Sequence, residues 1–190
     1  ALITAGVNPW LCLLVAFLAG CAAGTVTGLL NVKLKIKDLL SGILMMTALY
    51  SINYRIAGAP NKFLMGEPTI FSLPEGLPQW IVSYRYLILI AVIALFAKFA
   101  LDWYLNTKSG FLLKSAGDNE GLVVTLAQNP GRIKIIGLAI ANGLVALAGA
   151  LNCQRVMQFD IQSGTGTMVM GLAAVIIGTA VFQKVRFLRV

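Results

Sequence analysis

The residues of this 190-residue chain that could do chemistry are few, and their spacing argues against most of it. Histidine is absent, which removes the commonest acid–base group and metal ligand. The three cysteines, Cys12, Cys21 and Cys153, form no CxxC pair. Cys12 and Cys21 lie inside one apolar run, where cysteine acts as a small hydrophobe. The glycine-rich SGTGT of residues 163–167 lacks the Lys-Ser/Thr of a phosphate-cradling loop, and Gly164, Gly166 and Gly171 do not give GxGxxG spacing. It is expected to be a flexible entry to a short helix. No catalytic residue, metal ligand or cofactor is assigned. The remaining polar chemistry concentrates in KSAGDNEGLVVTLAQNPG, residues 114–131. There Asp118, Asn119 and Glu120 can open a helix by capping free N–H groups and matching its dipole. Leu122, Val123 and Leu126 then share one face, and Asn129-Pro130-Gly131 closes the run. Such a short amphipathic helix must cover its apolar side with lipid, with its own bundle or with the groove of a partner.

The elements that hold this segment belong to a membrane. Hydrophobic residues make up 58% of the chain and charged ones 12%, with a mean hydropathy of +0.85. Soluble domains run about 45–50% apolar and about 25% charged, so lipid is the expected solvent. The net charge of +8 sits in short clusters between apolar runs, with no basic face interleaved with aromatics, which argues against nucleic acid. A helix needs about 20 apolar residues to cross the hydrocarbon. Spans are predicted at about 10–30, 39–54, 81–105, 135–153 and 168–182, the second and fifth short. The expected fold is an all-α integral membrane bundle, a single transmembrane domain over 1–190 belonging to a longer multi-pass protein.

Alternating the spans separates two sets of loops. One holds Lys33, Lys35, Lys37, Lys108, Lys114, Arg132, Lys134, Lys184, Arg186 and Arg189; the other holds Arg55, Lys62, Arg85 and Arg155. Ten against four places the first set in the cytoplasm, so the chain is expected to begin outside. The outer loop over 57–79 carries Pro60, Pro68, Pro74 and Pro78, which favour turns and extended backbone.

Within the spans, Gly20, Gly24 and Gly28 fall four apart on one helical face, where missing side chains let a second backbone approach. Gly143, with Ala139, Ala146, Leu147 and Ala150, gives the fourth span a similar surface. Lys98 and Asp102, four apart near the cytoplasmic end, are expected to face each other as an opposite-charge pair. Asn53 and Asn142 are amides in apolar surroundings that need partners, either in a polar pathway or between helices.

Three stretches carry a resemblance: LLSGILMMTALYSINYRIAGAPN (39–61), KSAGDNEGLVVTLAQNPGRIKIIGLAIANGLVALAGAL (114–151) and GTGTMVMGLAAVIIG (164–178). The chain resembles permeases of binding-protein-dependent ATP-binding-cassette importers, in the group of the branched-chain amino-acid and ribose importers. It looks nearest to a subgroup described as tryptophan/tyrosine-type or uncharacterised permeases. The resemblance implies a type II importer bundle, two permease copies per complex, a separate ATPase subunit, an extracytoplasmic solute-binding protein and a place in the cell membrane. It implies a small solute, first an amino acid, with sugars or nucleosides behind. It also implies that residues 115–128 form the coupling helix, with Ser115, Gly117, Asp118, Asn119, Glu120, Leu122, Val123 and Leu126 meeting the ATPase, inside a cytoplasmic segment of about 112–131. The last apolar run departs from the subgroup, which often carries an acidic residue near the position of Thr179. A secondary transporter or channel is the alternative. It would place ionisable residues deep in the spans, where this chain has only Lys98 and Asp102, both near one end.

Overall fold

The structure is a computed structural model that describes residues 2–71, 79–118 and 129–182. Among the described residues the α-helices are α1 (Pro9–Leu34), α2 (Asp38–Ala57), α3 (Gln79–Leu105), α4 (Lys108–Asp118), α5 (Pro130–Val156) and α6 (Ser163–Phe182), with two short strands, β1 (Asn61–Phe63) and β2 (Gln158–Asp160). Among the described residues, three helical segments are long and apolar enough to cross a membrane: Pro9–Leu34, Tyr86–Leu105 and Pro130–Val156.

Local chemistry sets the boundaries. The Asn8 side chain accepts a hydrogen bond from Trp10 N and Pro9 stands in the first turn, so α1 starts with its free N–H groups partly satisfied. The same device recurs at α5, where Asn129 Oδ1 accepts from Gly131 N at 3.0 Å and Pro130 opens the helix. Asn-Pro-Gly, read in the sequence as the end of a helix that lies outside the described residues, starts α5 five residues before the predicted span. Gly58, at φ +75°, ends α2 by donating its N–H to Tyr54 O.

The helix expected to open at Asp118 would run over residues 119–128, which lie outside the described residues; α4 is described up to Asp118. Thr107 Oγ1 accepts from Gly110 N, capping a helix that starts ten residues earlier. SGTGT is part of α6 rather than a flexible entry. Asp160 supplies the start of that helix: its Oδ1 accepts from Gln162 N at 2.8 Å and its carbonyl accepts from Ser163 Oγ.

Antiparallel α1 and α5 form the spine, the most extensive helix contact in the molecule. A Cβ at Gly20 would stand 2.5 Å from Ala146 Cβ and 2.6 Å from Asn142 O. One at Gly24 would press on Leu138 O and stand 2.8 Å from Ala139 Cα. At Gly28 it would meet Ile135 Cα at 2.9 Å. Reciprocally, Gly143 receives Phe17 and Cys21 of α1. Without an aqueous driving force between helices, this close approach supplies the dispersion contact that joins them in lipid.

The end of the bundle that carries the C-terminus of α2 is closed by residues 58–71. β1 pairs antiparallel with β2, Asn61 opposite Asp160 and Phe63 opposite Gln158. Beyond it, Leu64, Ile70 and Phe71 are buried against the outer ends of α1 and α5 in two apolar clusters. Gln154, 2% exposed, pins this segment: its Oε1 accepts from Ile70 N at 3.1 Å and its Nε2 donates to Pro9 O at 3.4 Å. The Pro-rich loop expected over 57–79 is therefore partly an ordered strap, at least over its described residues.

α3 meets this core along one face: the Tyr86 ring lies 5.0 Å from that of Phe71, and Leu89 and Ile93 pack against the cluster of Leu13, Ile70, Phe71 and Leu151. None of its membrane-length window is buried, and Phe96 and Trp103 are 75% and 77% exposed. Lys98 does not pair with Asp102 as expected. Its Nζ lies 6.0 Å above the Phe99 ring, and no ion pair joins the two charged residues. A long lysine stem lets the head follow the aromatic face in preference to a carboxylate one turn away.

Candidate functional site

A groove of about 930 Å³ runs between α2 and α5 and is backed by α1. On α2 its lining extends from Ser41 to Asn53, about 18 Å of helix at about 1.5 Å per residue. That is more than half of a hydrocarbon core about 30 Å thick. Leu113, Ala116 and Gly117 of α4 and Lys134 of α5 line one end, and Ile161 and Gly164 line the other. α2 makes its chief helix contact with α1, so the groove separates it from most of α5. At the outer corner the β1–β2 ribbon ties the two sides, extended by Ile161 N donating to Pro60 O at 3.1 Å.

A second cavity of about 290 Å³ lies under the ribbon, between the ends of α1, α2 and α5, and includes Lys62 and Phe159 in its wall. Asn53 lines both cavities.

The two amides singled out in the sequence meet in the larger groove. Asn142 Nδ2 donates to Leu138 O at 2.9 Å, one turn back, while its Oδ1 takes no hydrogen bond from a described residue. Its backbone and Cβ sit between Gly20 and Gly24, so the glycine stripe of α1 also sets where this amide lies. Asn53, exposed to the groove, has no hydrogen-bond partner among the described residues. Gly20, Gly24, Gly28 and Gly143 lie in the α1–α5 contact rather than in the groove wall.

Ser115 and Gly117 lie on α4. Ser115 Oγ donates to Phe111 O at 3.0 Å, and Gly117 lines the groove's inner end. Asp118 is the last residue of α4. Asn119, Glu120, Leu122, Val123 and Leu126 lie outside the described residues. α4 is seated on α5 at Gly137, where an added Cβ would come within 2.7 Å of Leu113 Cδ1. Gln154 and the ribbon were missed in the sequence. For Gln154 the signal was present, an amide inside an apolar helix; for three-residue strands none was.

Membrane-length helices around a solute-sized groove are the build of a membrane permease, a transporter component rather than an enzyme. The chain belongs to the family of permease components of branched-chain amino acid transport systems, whose model matches residues 1–185. It is 42% identical to a tyrosine transport system permease protein of Clostridioides difficile (strain R20291), over 98% of this chain and 60% of that protein. It is 34% identical to an uncharacterised protein of Rickettsia prowazekii (strain Madrid E), over 90% of this chain and 58% of that one. It is also 26% identical to a ribose import permease protein of Escherichia coli (strain K12), over 90% of this chain and 53% of that one. The chain thus spans 53–60% of the length of these relatives. No solved structure gives a significant match.

Proposed function

We propose that the chain forms the solute pathway of an ATP-binding-cassette importer, as a multi-pass permease of the cell membrane that begins outside and works as one of two permease copies. The tyrosine-named relative favours an amino-acid solute. An ATPase subunit drives the complex from the cytoplasm, and a solute-binding protein delivers cargo to the outer strap. In this reading α2 and α6 cross the bilayer with α1, α3 and α5. The bare faces of α3 are covered by lipid and by the second copy.

One observation carries the reading. α4 lines the inner end of the groove through Leu113, Ala116 and Gly117, and its last residue, Asp118, leads directly into residues 119–128. If that segment docks on the ATPase, a rigid movement of the ATPase reaches the groove through one short helix, as alternating access requires. The basic residues clustered on the same side support a cytoplasmic position for that segment.

The test is purification of the full-length protein from its native membrane. An ATPase subunit should come with it, and Asp118→Lys with Glu120→Lys should abolish uptake while ATP hydrolysis and membrane insertion persist. Wild-type uptake by the doubly substituted protein would eliminate residues 115–128 as the docking element.

A further inference from the structure

We infer that the turn joining α1 to α2 is a seat for the headgroup of an anionic phospholipid, whose acyl chain lies along the outer face of α2. The seat is made by Lys33, Lys35 and Lys37 with Arg132 at the start of α5.

Its depth follows from the length of α1. The 26 residues of this helix, at about 1.5 Å each, extend about 39 Å, beyond a hydrocarbon core about 30 Å thick. Where α1 crosses a bilayer, the lysines at its end therefore stand among the headgroups.

The four cations are exposed and belong to one patch. A Cβ at Gly131 would stand 2.5 Å from Val32 Cγ1, so the end of α1 is set against the start of α5. None of the four forms an ion pair with a described residue. Asp38 is the one carboxylate in the sequence of the turn, so three lysines and Arg132 against it leave a net charge of +3.

The turn is built rather than loose. Lys35 holds a left-handed backbone, φ +52°, a conformation that favours glycine and strains a lysine. Asn31 Nδ2 fixes it by donating to Ile36 O at 2.8 Å. Glycine would close this turn more easily, yet the position carries an exposed charge. Strain kept at such a residue points to a group that must be held in place.

Apolar side chains continue the patch toward the bilayer. Leu34 and Leu39 are 62% and 58% exposed, and Leu40, Ile43 and Leu44 extend the exposed surface one turn along α2. This face is separate from the one that Ser41, Met45 and Leu49 turn to the groove. Cations followed by bare leucines match a phosphate followed by an acyl chain. An acidic protein would leave the leucines unmatched, and a free phosphate would use the cations alone.

The experiment uses the full-length protein in detergent micelles holding equal amounts of phosphatidylglycerol and phosphatidylcholine, with retained lipid counted by native mass spectrometry. Phosphatidylglycerol should be retained about tenfold over phosphatidylcholine, and about 1 M salt should erase the preference. Lys35→Gln with Lys37→Gln should lower the preference to about twofold. Lys62→Gln with Arg155→Gln, the same loss of charge at the opposite end of the bundle, should leave it unchanged. Lys35→Gly, which accepts the left-handed backbone without strain, should melt no lower in phosphatidylcholine yet retain less phosphatidylglycerol. A merely structural turn would not give that split. Equal retention of the two lipids, or an undiminished preference in the Lys35→Gln, Lys37→Gln protein, overturns the inference. Displacement of phosphatidylglycerol by millimolar glycerol phosphate overturns it too, by marking a site for soluble anions. Loss of a co-purifying subunit from that variant, with lipid preference intact, assigns the patch to a protein instead. None of these readouts measures uptake, so their failure leaves the permease reading untouched.

Discussion

Gly24→Ala is the substitution that tests the helical spine most directly. The added Cβ would press on Leu138 O and lie 2.8 Å from Ala139 Cα and 2.9 Å from Asn142 Cβ. All of these belong to the body of α5 rather than to the end of a flexible side chain, so no rotamer change relieves them. Carbon atoms settle at about 3.5–4.0 Å, so α1 and α5 must part locally by about 1 Å. Forcing extra volume into a well-packed contact costs about 1–3 kcal/mol. Alanine also favours helix over glycine by about 0.8–1.0 kcal/mol, which hides part of the cost. Gly149→Ala on α5, with nothing within 4 Å of the new Cβ, supplies the control, because it gains the same helical preference without the clash. The difference between the two variants is then the clash itself, about 1–3 kcal/mol. By the scaling of soluble domains of similar size, about 2–4 °C per kcal/mol, the two melting temperatures in detergent should differ by roughly 2–12 °C. Equal melting temperatures would refute the close seat of Gly24, and with it the account of how Asn142 is positioned.

Three further outcomes are expected. Gln154→Leu removes the acceptor for Ile70 N and the donor to Pro9 O, leaving a buried N–H without its partner at a cost of about 1–3 kcal/mol. Limited proteolysis from the outer side should then cut within 64–71 where the unsubstituted protein resists, and unchanged resistance would count against the pin. The bonds flanking the ribbon, Ile161 N to Pro60 O and Leu64 N to Met157 O, put Phe63 and Gln158 opposite each other at a non-hydrogen-bonded position. Such pairs have Cα atoms about 4.5 Å apart, within the disulfide range of about 4.4–6.8 Å. Phe63→Cys with Gln158→Cys, in a background free of native cysteines, should therefore cross-link under mild oxidation, and failure to do so would refute the register. Finally, Asn119→Cys should be labelled by an impermeant thiol reagent only after the membrane is opened; labelling of intact cells would reverse the assigned orientation.

The helical framework was largely legible because its signals are local. Apolar runs of membrane length mark α1, α3 and α5, and a four-residue glycine period marks the face of α1 that meets α5. One local signal can serve two ends: Asn-Pro-Gly can stop one helix and start the next, and Asn129 Oδ1 bonded to Gly131 N starts α5. Thr107 caps α4, a helix that the sequence reading missed, and Leu113 of α4 is seated on Gly137. The ribbon was invisible because its partners lie about a hundred residues apart, and three residues of strand carry no periodicity to read. Asn53 and Asn142 could be flagged as amides in lipid, but their shared groove depends on the distance between α2 and α5, a tertiary quantity.

The placement of stiff and loose contacts says where this bundle can move. α1 and α5 are locked by four glycines and cannot part without loss of dispersion contact along several turns. α2 leans chiefly on α1, and its tie across the outer end is a ribbon of three residues a side. Two-stranded ribbons of that length are marginal by themselves, so this tie can open while Gln154 keeps the 64–71 segment in place. At the other end α4 sets Leu113 on Gly137 of α5 and turns tightly at Gly110 against Tyr104 and Leu105. In the proposed importer, a push on the residues after Asp118 would reach one rim of the groove through α4. The groove lies between the fixed pair and these two lightly held walls, so opening its two ends in turn demands only contacts the fold keeps weak.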